Sequence, residues 1–174
     1  MTLDRLWAGW RSEYIAGVTA DETSPPGADR DESLCVFCRI LDSDAPAEET
    51  FVVWRGERTA AILNAYPYTS GHVLVLPIRH VGELEDLDGE EAAALWAGVT
   101  DAVRAIKAAY RPEGVNFGAN IGRGAGAGIP GHFHVHALPR WNGDTNFMTS
   151  IAEARVLPEA LSVTWRKLHD AWPT

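Results

Sequence analysis

The sequence predicts an α+β fold, with an antiparallel sheet of about five strands, one long helix packed on it and short helices at the termini. Three observations carry that expectation. Short runs rich in Val, Leu, Ile and aromatic residues recur at 51–55, 59–63, 72–78, 115–121 and 132–138. Most are separated by turn chemistry, such as Gly56-Glu57-Arg58 and Tyr66-Pro67-Tyr68-Thr69-Ser70-Gly71. A single long stretch, 89–110, instead has helical periodicity.

Residues 3–16 read as an amphipathic helix, because Leu3, Leu6, Trp7, Trp10 and Tyr14 fall at helical spacing. Such an aromatic stripe either docks on the core or forms a subunit interface. The stretch 17–33, with Pro25-Pro26-Gly27 and a run of charges, has no periodicity and reads as a mobile linker. Cys35-Val36-Phe37-Cys38 opens a knuckle that leads into a helical turn. Strand 72–78 is apolar on both of its faces, so it belongs inside the sheet. Glu83, Leu84 and Leu87 suit a short helical turn. On the long helix Ala92, Leu95, Trp96, Val99, Val103, Ile106 and Tyr110 form the apolar stripe, with Glu91, Asp101, Arg104 and Lys107 off it. The tail 158–172 holds another short helix marked by Leu161, Trp165, Leu168 and Trp172. We read 1–174 as one domain: helix and linker over 1–33, a core over 34–148 and an extension over 149–174.

Of 174 residues, 46% are hydrophobic and 22% charged, ordinary for a globular chain. The net charge of −9 argues against a nucleic-acid surface, which needs a basic patch. It leaves room for a nucleotide, which local N–H groups and one or two arginines can hold. No run approaches a membrane span, and the start has no secretory pattern, so the expected location is the cytoplasm. In a reducing compartment the two cysteines read as a metal half-site or a redox pair, not as a disulfide.

The chemistry centres on Gly131-His132-Phe133-His134-Val135-His136-Ala137-Leu138, which carries three of the six histidines. On a strand, His132, His134 and His136 share one face, while Phe133, Val135 and Ala137 share the other, toward a core. The stretch before it, 122–131, has five glycines in ten residues. Successive N–H groups in such a turn form an anion-binding concavity. A glycine cradle leading into a histidine strand suggests phosphate chemistry.

His132-Phe-His134-Val-His136-Ala-Leu, followed by Pro139-Arg140, resembles the signature of the histidine triad superfamily of nucleotide hydrolases and transferases. The resemblance extends through Leu63-Asn64-Ala65-Tyr66-Pro67, Gly71-His72-Val73-Leu74-Val75-Leu76-Pro77 and Asn120-Ile121-Gly122. The tail 139–148 and the opening 6–14 are similar to a bacterial branch that resembles diadenosine tetraphosphate phosphorylases. The resemblance implies a HIT-like fold, with His134 as nucleophile on phosphorus, His136 on the phosphate and leaving-group side, and Asn120 hydrogen-bonding a phosphate or bridging oxygen. It implies Asn64 at the ribose hydroxyls. Backbone at Gly126, Gly128 and Ile129 would receive phosphate, aided by Arg123, because hydrolase relatives have a Gln, Ser or Thr side chain where Gly128 and Ile129 stand. Trp141 and Asn146 would border the polyphosphate or second nucleoside, although Trp141 suits interface packing equally. His72 reads as structural and His169 as surface.

His132 has two readings, an orienting hydrogen-bond partner or a metal ligand. In the second, Cys35, Cys38, His80 and His132 complete a Cys₂His₂ site for structural Zn²⁺, similar to some members of the superfamily. The alternative is two free buried thiols. Because many relatives lack the cysteines, the chemistry should not require the metal. No organic cofactor is implied. The activity so implied is phosphorolysis of diadenosine tetraphosphate to ADP and ATP, with inorganic phosphate as co-substrate and adenine nucleotides and dinucleoside polyphosphates as ligands. The alternatives are a hydrolase of dinucleoside polyphosphates or nucleoside phosphoramidates, a nucleotide-binding module without turnover, and a catalytic metal held by the three strand histidines. The resemblance also implies a homodimer or homotetramer.

Overall fold

The computed structural model describes residues 32–144 and 159–173. The expected helix over 3–16, the linker up to residue 31 and Asn146 lie outside the described residues. A 3₁₀ turn, Glu32–Leu34, leads into α1, Val36–Leu41. A short α2, Ala47–Thr50, follows. Phe51 closes α2 in the left-handed region at φ 57°, so the first strand starts one residue later than its apolar run suggests. The strands β1 Val52–Arg55, β2 Thr59–Leu63 and β3 Val73–Pro77 come next. After a 3₁₀ turn at Leu84–Asp86 come α3 Gly89–Tyr110, β4 Gly114–Gly118, a 3₁₀ turn at Arg123–Ala125, β5 Val135–Arg140 and α4 Leu161–Asp170.

All strand pairs are antiparallel, and the order is β1-β2-β3-β5-β4. The α+β expectation holds. Both β2 and β3 are buried along their whole length, which suits inner strands. One sheet face, with Val53, Val75, Phe133, Val135 and Ala137, packs on α3 and α4. The opposite face, with Ala60, Ile62, Leu74 and Leu76, packs on Cys35, Phe37, Cys38 and Leu41 of the knuckle. At about 25 cal/mol per Å², each large aliphatic side chain so buried stabilises the fold by about 1.5–3 kcal/mol.

Two expectations need correction. The β5 ladder starts at Val135, not at residue 132, because the Phe133 N–H leaves the sheet and donates to the Val81 carbonyl at 2.6 Å. The β4 ladder ends at Gly118, so Asn120 lies just past it.

The long helix has its expected limits but is rotated about its axis. Leu95, Val99 and Ile106 are buried as read, yet so are Gly98, Ala102, Ala105 and Glu91, while Trp96 is 48% exposed. Small residues bring the helix close to the sheet. A Cβ on Gly98 would lie 3.1 Å from Val75 Cγ1 and 3.2 Å from Thr59 Cγ2.

Glu91 tolerates burial because Arg79 grips it with two hydrogen bonds, of 2.7 and 2.6 Å, and because it completes the capping box with Asp88. The Arg79 hydrogen bonds hold the Glu91 carboxyl down at about 2 against an ordinary 4.5. A carboxyl lowered in the folded state stabilises fully above its unfolded value, and that contribution fades as the pH falls toward the folded value. The stability advantage of the native chain over Glu91→Gln is therefore expected to be constant above about pH 5 and to shrink steadily toward pH 2. Thermal unfolding of both proteins across that range measures it.

Candidate active site

Antiparallel pairing of β3 with β5 sets Leu74 opposite His136, which leaves His72 on the diagonal from His136 across neighbouring strands. Gly71, at φ +84°, turns the chain into this position, where a Cβ would meet the Tyr110 ring at 2.9 Å. His72 is 1% exposed, and its Nε2 lies 2.9 Å from His136 Nδ1. The Tyr68 N–H donates to His72 Nδ1 at 3.1 Å. That backbone donor makes His72 Nδ1 the acceptor nitrogen, so Nε2 carries the proton and donates it to His136 Nδ1. His136 is left as an Nε2–H donor. His72 is thus more than structural filler: it sets the tautomer of a triad member. Sequence reading passed over it, although Gly71-His72 lay within the quoted motif.

His134 is oriented differently. Its Nδ1–H donates to the His132 carbonyl at 2.8 Å, which leaves the lone pair on Nε2. Among the described residues, the sealed side-chain polar atoms without a partner are Thr59 Oγ1, Ser70 Oγ and Trp172 Nε1, and His134 Nε2 is not one of them. The ring is 6% exposed overall, and its Nε2 has no hydrogen-bond partner among the described residues, which leaves that lone pair available. The Phe37 and His136 rings flank it edge-on, with centroids at 5.1 and 5.0 Å. Burial pushes the His134 imidazole below its ordinary value, with the His132 carbonyl opposing. Burial likewise brings His136 down to about 4. Both rings are therefore neutral at pH 7, the state in which one can attack and the other can donate.

The remaining sequence-predicted residues are placed as follows. Gly118 pairs with His136, so continuing β4 by two residues carries Asn120 to the level of His134. The Gly126 N–H closes a turn onto the Arg123 carbonyl at 2.9 Å and is committed there. Gly128 is exposed and Ile129 half-buried, and neither N–H has a backbone acceptor among the described residues. Of the three backbone amides expected to receive phosphate, these two remain without a backbone partner among the described residues. Arg123 is exposed on the 3₁₀ turn. Asn64 Oδ1 accepts the Tyr66 N–H at 2.9 Å, and its Nδ2 lies 3.4 Å from His72 Nδ1, so the amide also braces the loop that holds His72. The structure does not bring Trp141 to the imidazoles. It follows the far end of β5, about 20 Å along the chain from His134 at strand rise. Its ring packs edge-on against Tyr110 at 6.2 Å. His169 is exposed and accepts no catalytic neighbour; its Nδ1 lies 2.9 Å from the Val53 carbonyl.

The four expected metal ligands converge. One donor atom from each of Cys35, Cys38, His80 and His132 lies within 4.8 Å of every other. Sγ of Cys35 and Cys38 lie 3.4 and 3.5 Å from His132 Nδ1, and Cys38 Sγ is 3.3 Å from His80 Nδ1. With Zn–S of about 2.3 Å and Zn–N of about 2.0 Å, a tetrahedral ion needs S···N edges of about 3.5 Å. The donor set fits zinc in spacing and in softness. The His132 Nε2–H donates to the Pro77 carbonyl at 2.9 Å, so Nδ1 is the free ligating nitrogen. Burial brings His132 down to about 4, so it is neutral and ready to ligate. Burial, then the hydrogen bond with Cys35, pushes the Cys38 thiol up to about 12, so that thiol ionises only when a cation arrives. The same His132 that faces the thiols presents its backbone carbonyl to His134. A depression lined by Glu32, Ser33, Cys38, Arg39, Asp42 and Ser43 lies beside the knuckle. Its two carboxylates make it a poor surface for polyphosphate.

Known proteins share this plan. A protein of Mycobacterium tuberculosis called AP-4-A phosphorylase is 41% identical over 170 residues, 98% of this chain and 85% of that protein. The crystal structure of a Zn-bound histidine triad family protein from Mycobacterium smegmatis superposes with TM-score 0.66 at 32% identity, covering 81% of this chain and 94% of that one. A hypothetical histidine triad nucleotide-binding protein from Sulfolobus tokodaii superposes with TM-score 0.65 at 31% identity, covering 79% and 91%. No helix among the described residues is long and apolar enough to cross a membrane. The model of the HIT domain matches residues 45–143, a stretch that holds the whole sheet together with His132, His134 and His136. On that ground the chain belongs to the HIT domain family.

Proposed function

We propose that this protein is a nucleotidyltransferase that cleaves diadenosine tetraphosphate by phosphorolysis, giving ADP and ATP. One observation carries the chemistry: His134 offers an open Nε2 lone pair while its Nδ1–H is held by the His132 carbonyl. Similarity to the M. tuberculosis AP-4-A phosphorylase supports the substrate class. His134 Nε2 attacks the α-phosphorus of one adenosine, the Pα–O–Pβ bond breaks, and ATP leaves. The adenylylated imidazole is cationic, and the His132 carbonyl accepting from Nδ1–H stabilises that charge. Inorganic phosphate then attacks the same phosphorus, the N–P bond breaks, and ADP leaves with His134 restored. His136 Nε2–H donates to the phosphate and the departing oxygen, and Asn120 with the Gly128 and Ile129 amides holds the remaining oxygens. Asn64 serves the ribose and Arg123 the phosphate charge.

Product analysis with and without added phosphate tests the reading. Phosphate-dependent ADP and ATP support it; AMP and ATP released without phosphate would identify a hydrolase. Absence of any turnover, with nucleotide bound, would leave a binding module.

Cys35, Cys38, His80 and His132 would hold Zn²⁺ as a closed, structural site that fixes the knuckle to the sheet; the donor geometry supports this, as does the zinc in the M. smegmatis structure. We assign the outer edge of β4 to a second copy of the chain. Phe117 there is 57% exposed and sits 6.4 Å from the half-exposed Trp96 ring, an apolar pair beside unpaired strand N–H and C=O groups. Phe117→Lys is expected to convert a dimer to monomer in light scattering.

A further inference from the structure

Phe37 lies between Cys35 and Cys38, inside the knuckle, yet its ring faces the catalytic strand. It is 4% exposed. Its centroid is 5.1 Å from that of His134 at an interplanar angle of 68°, and 5.6 Å from that of His132 at 85°. Among the described residues, the other ring contact to His134 is from His136, and its one hydrogen bond runs from Nδ1. One hydrogen bond fixes a direction but leaves the ring free to rock about it and about χ2, whose torsional well is broad. A flat ring packed edge-on removes that freedom.

The element that carries Phe37 cannot hold itself. At six residues α1 is far below the length at which a helix is stable alone. It is fixed by the cysteines on either side of Phe37, by the apolar contacts of Phe37, Cys38 and Leu41 to the sheet, and by Arg55 of β1 donating to the Leu41 carbonyl.

We propose that Phe37 is a positioning residue for His134: pinned between the two thiol donors of the metal site, its ring fixes the rotation of the imidazole that attacks phosphorus. The metal site then reaches the nucleophile by two routes that meet at one ring. One is the His132 carbonyl, on the residue whose side chain ligates; the other is Phe37, whose sequence neighbours ligate. This inference rests on His134 being the nucleophile.

The test uses the full chain carrying its metal, with Phe37→Leu, which keeps an apolar side chain but loses the flat edge. Metal per chain is measured first and should be unchanged. With diadenosine tetraphosphate and phosphate, kcat is expected to fall about tenfold or more with KM within about twofold, the signature of lost alignment. In nucleotide-free protein, long-range ¹H–¹⁵N spectra should show His134 as a single Nδ1–H tautomer in the native chain and an averaged one in Phe37→Leu. If kcat and the tautomer are both unchanged, or if KM rises while kcat holds, Phe37 does not position His134 and the proposal is overturned. Should Phe37→Leu not fold, Phe37→Met carries the same two readouts. Trapping of adenylyl-His134 in the native chain is scored separately. Its failure removes the nucleophile assignment, whereas the nucleotide-free tautomer comparison still judges the clamp.

Discussion

His134→Ala is expected to lower turnover of diadenosine tetraphosphate by about 10⁴-fold or more, because it removes the Nε2 lone pair that the Nδ1–H bond to the His132 carbonyl holds in a fixed tautomer. The fold should survive. The side chain makes one hydrogen bond and two ring contacts, so its truncation should cost about 1–3 kcal/mol, a shift of only several degrees in Tm. Metal content should not change, since His134 Nδ1 bonds to a carbonyl and not to the thiol cluster. Steady-state rates, differential scanning calorimetry and metal analysis on one preparation check all three. A variant that keeps more than a few per cent of native kcat would show that phosphorus is attacked by something else.

Cys38→Ala should do the reverse. Cys38 is the thiol that approaches both imidazole donors, 3.3 Å from His80 and 3.5 Å from His132. Without it the site has three ligands and α1 loses an anchor on the sheet face formed by Ala60, Ile62, Leu74 and Leu76. Metal-coupled folding energies run to about 10 kcal/mol or more in small zinc domains, and a sheet with its own core should lose only part of that. We expect a loss of several kcal/mol and a Tm lower by about 10 °C or more. Turnover should be reduced and not abolished. Chelation of the native protein should reproduce the Tm shift, and added zinc should reverse it in the native chain alone.

Much of this architecture is legible in the sequence because local rules agree there. The β2 and β3 runs are apolar on both faces and become inner strands. The 89–110 stretch is preceded by Asp88, with Glu91 three residues on, and it folds as a capped helix. The alternation in 132–137 puts Phe133, Val135 and Ala137 in one core, with the histidines on the other face. The four metal donors were readable because their chemistry is scarce in the chain. What failed depends on distant partners. An apolar stripe cannot reveal that Gly98 must approach Val75, nor that Glu91 will be buried against Arg79. The role of His72 needs the β3–β5 register together with a backbone N–H from Tyr68. For Trp141 the sequence left polyphosphate contact and interface packing equally open, and the ring is seen packed edge-on against Tyr110.

The opposed tautomers of neighbouring imidazoles give the cleft a direction. From His134, just before β5, to His136 within it, an electron-pair donor comes first and a proton donor second. Bond making and bond breaking are thereby assigned to opposite ends of a short track. Under the proposed reading, a symmetrical dinucleotide entering this track would become unsymmetrical: the half bonded to His134 stays, and the other half leaves past the proton donor at His136.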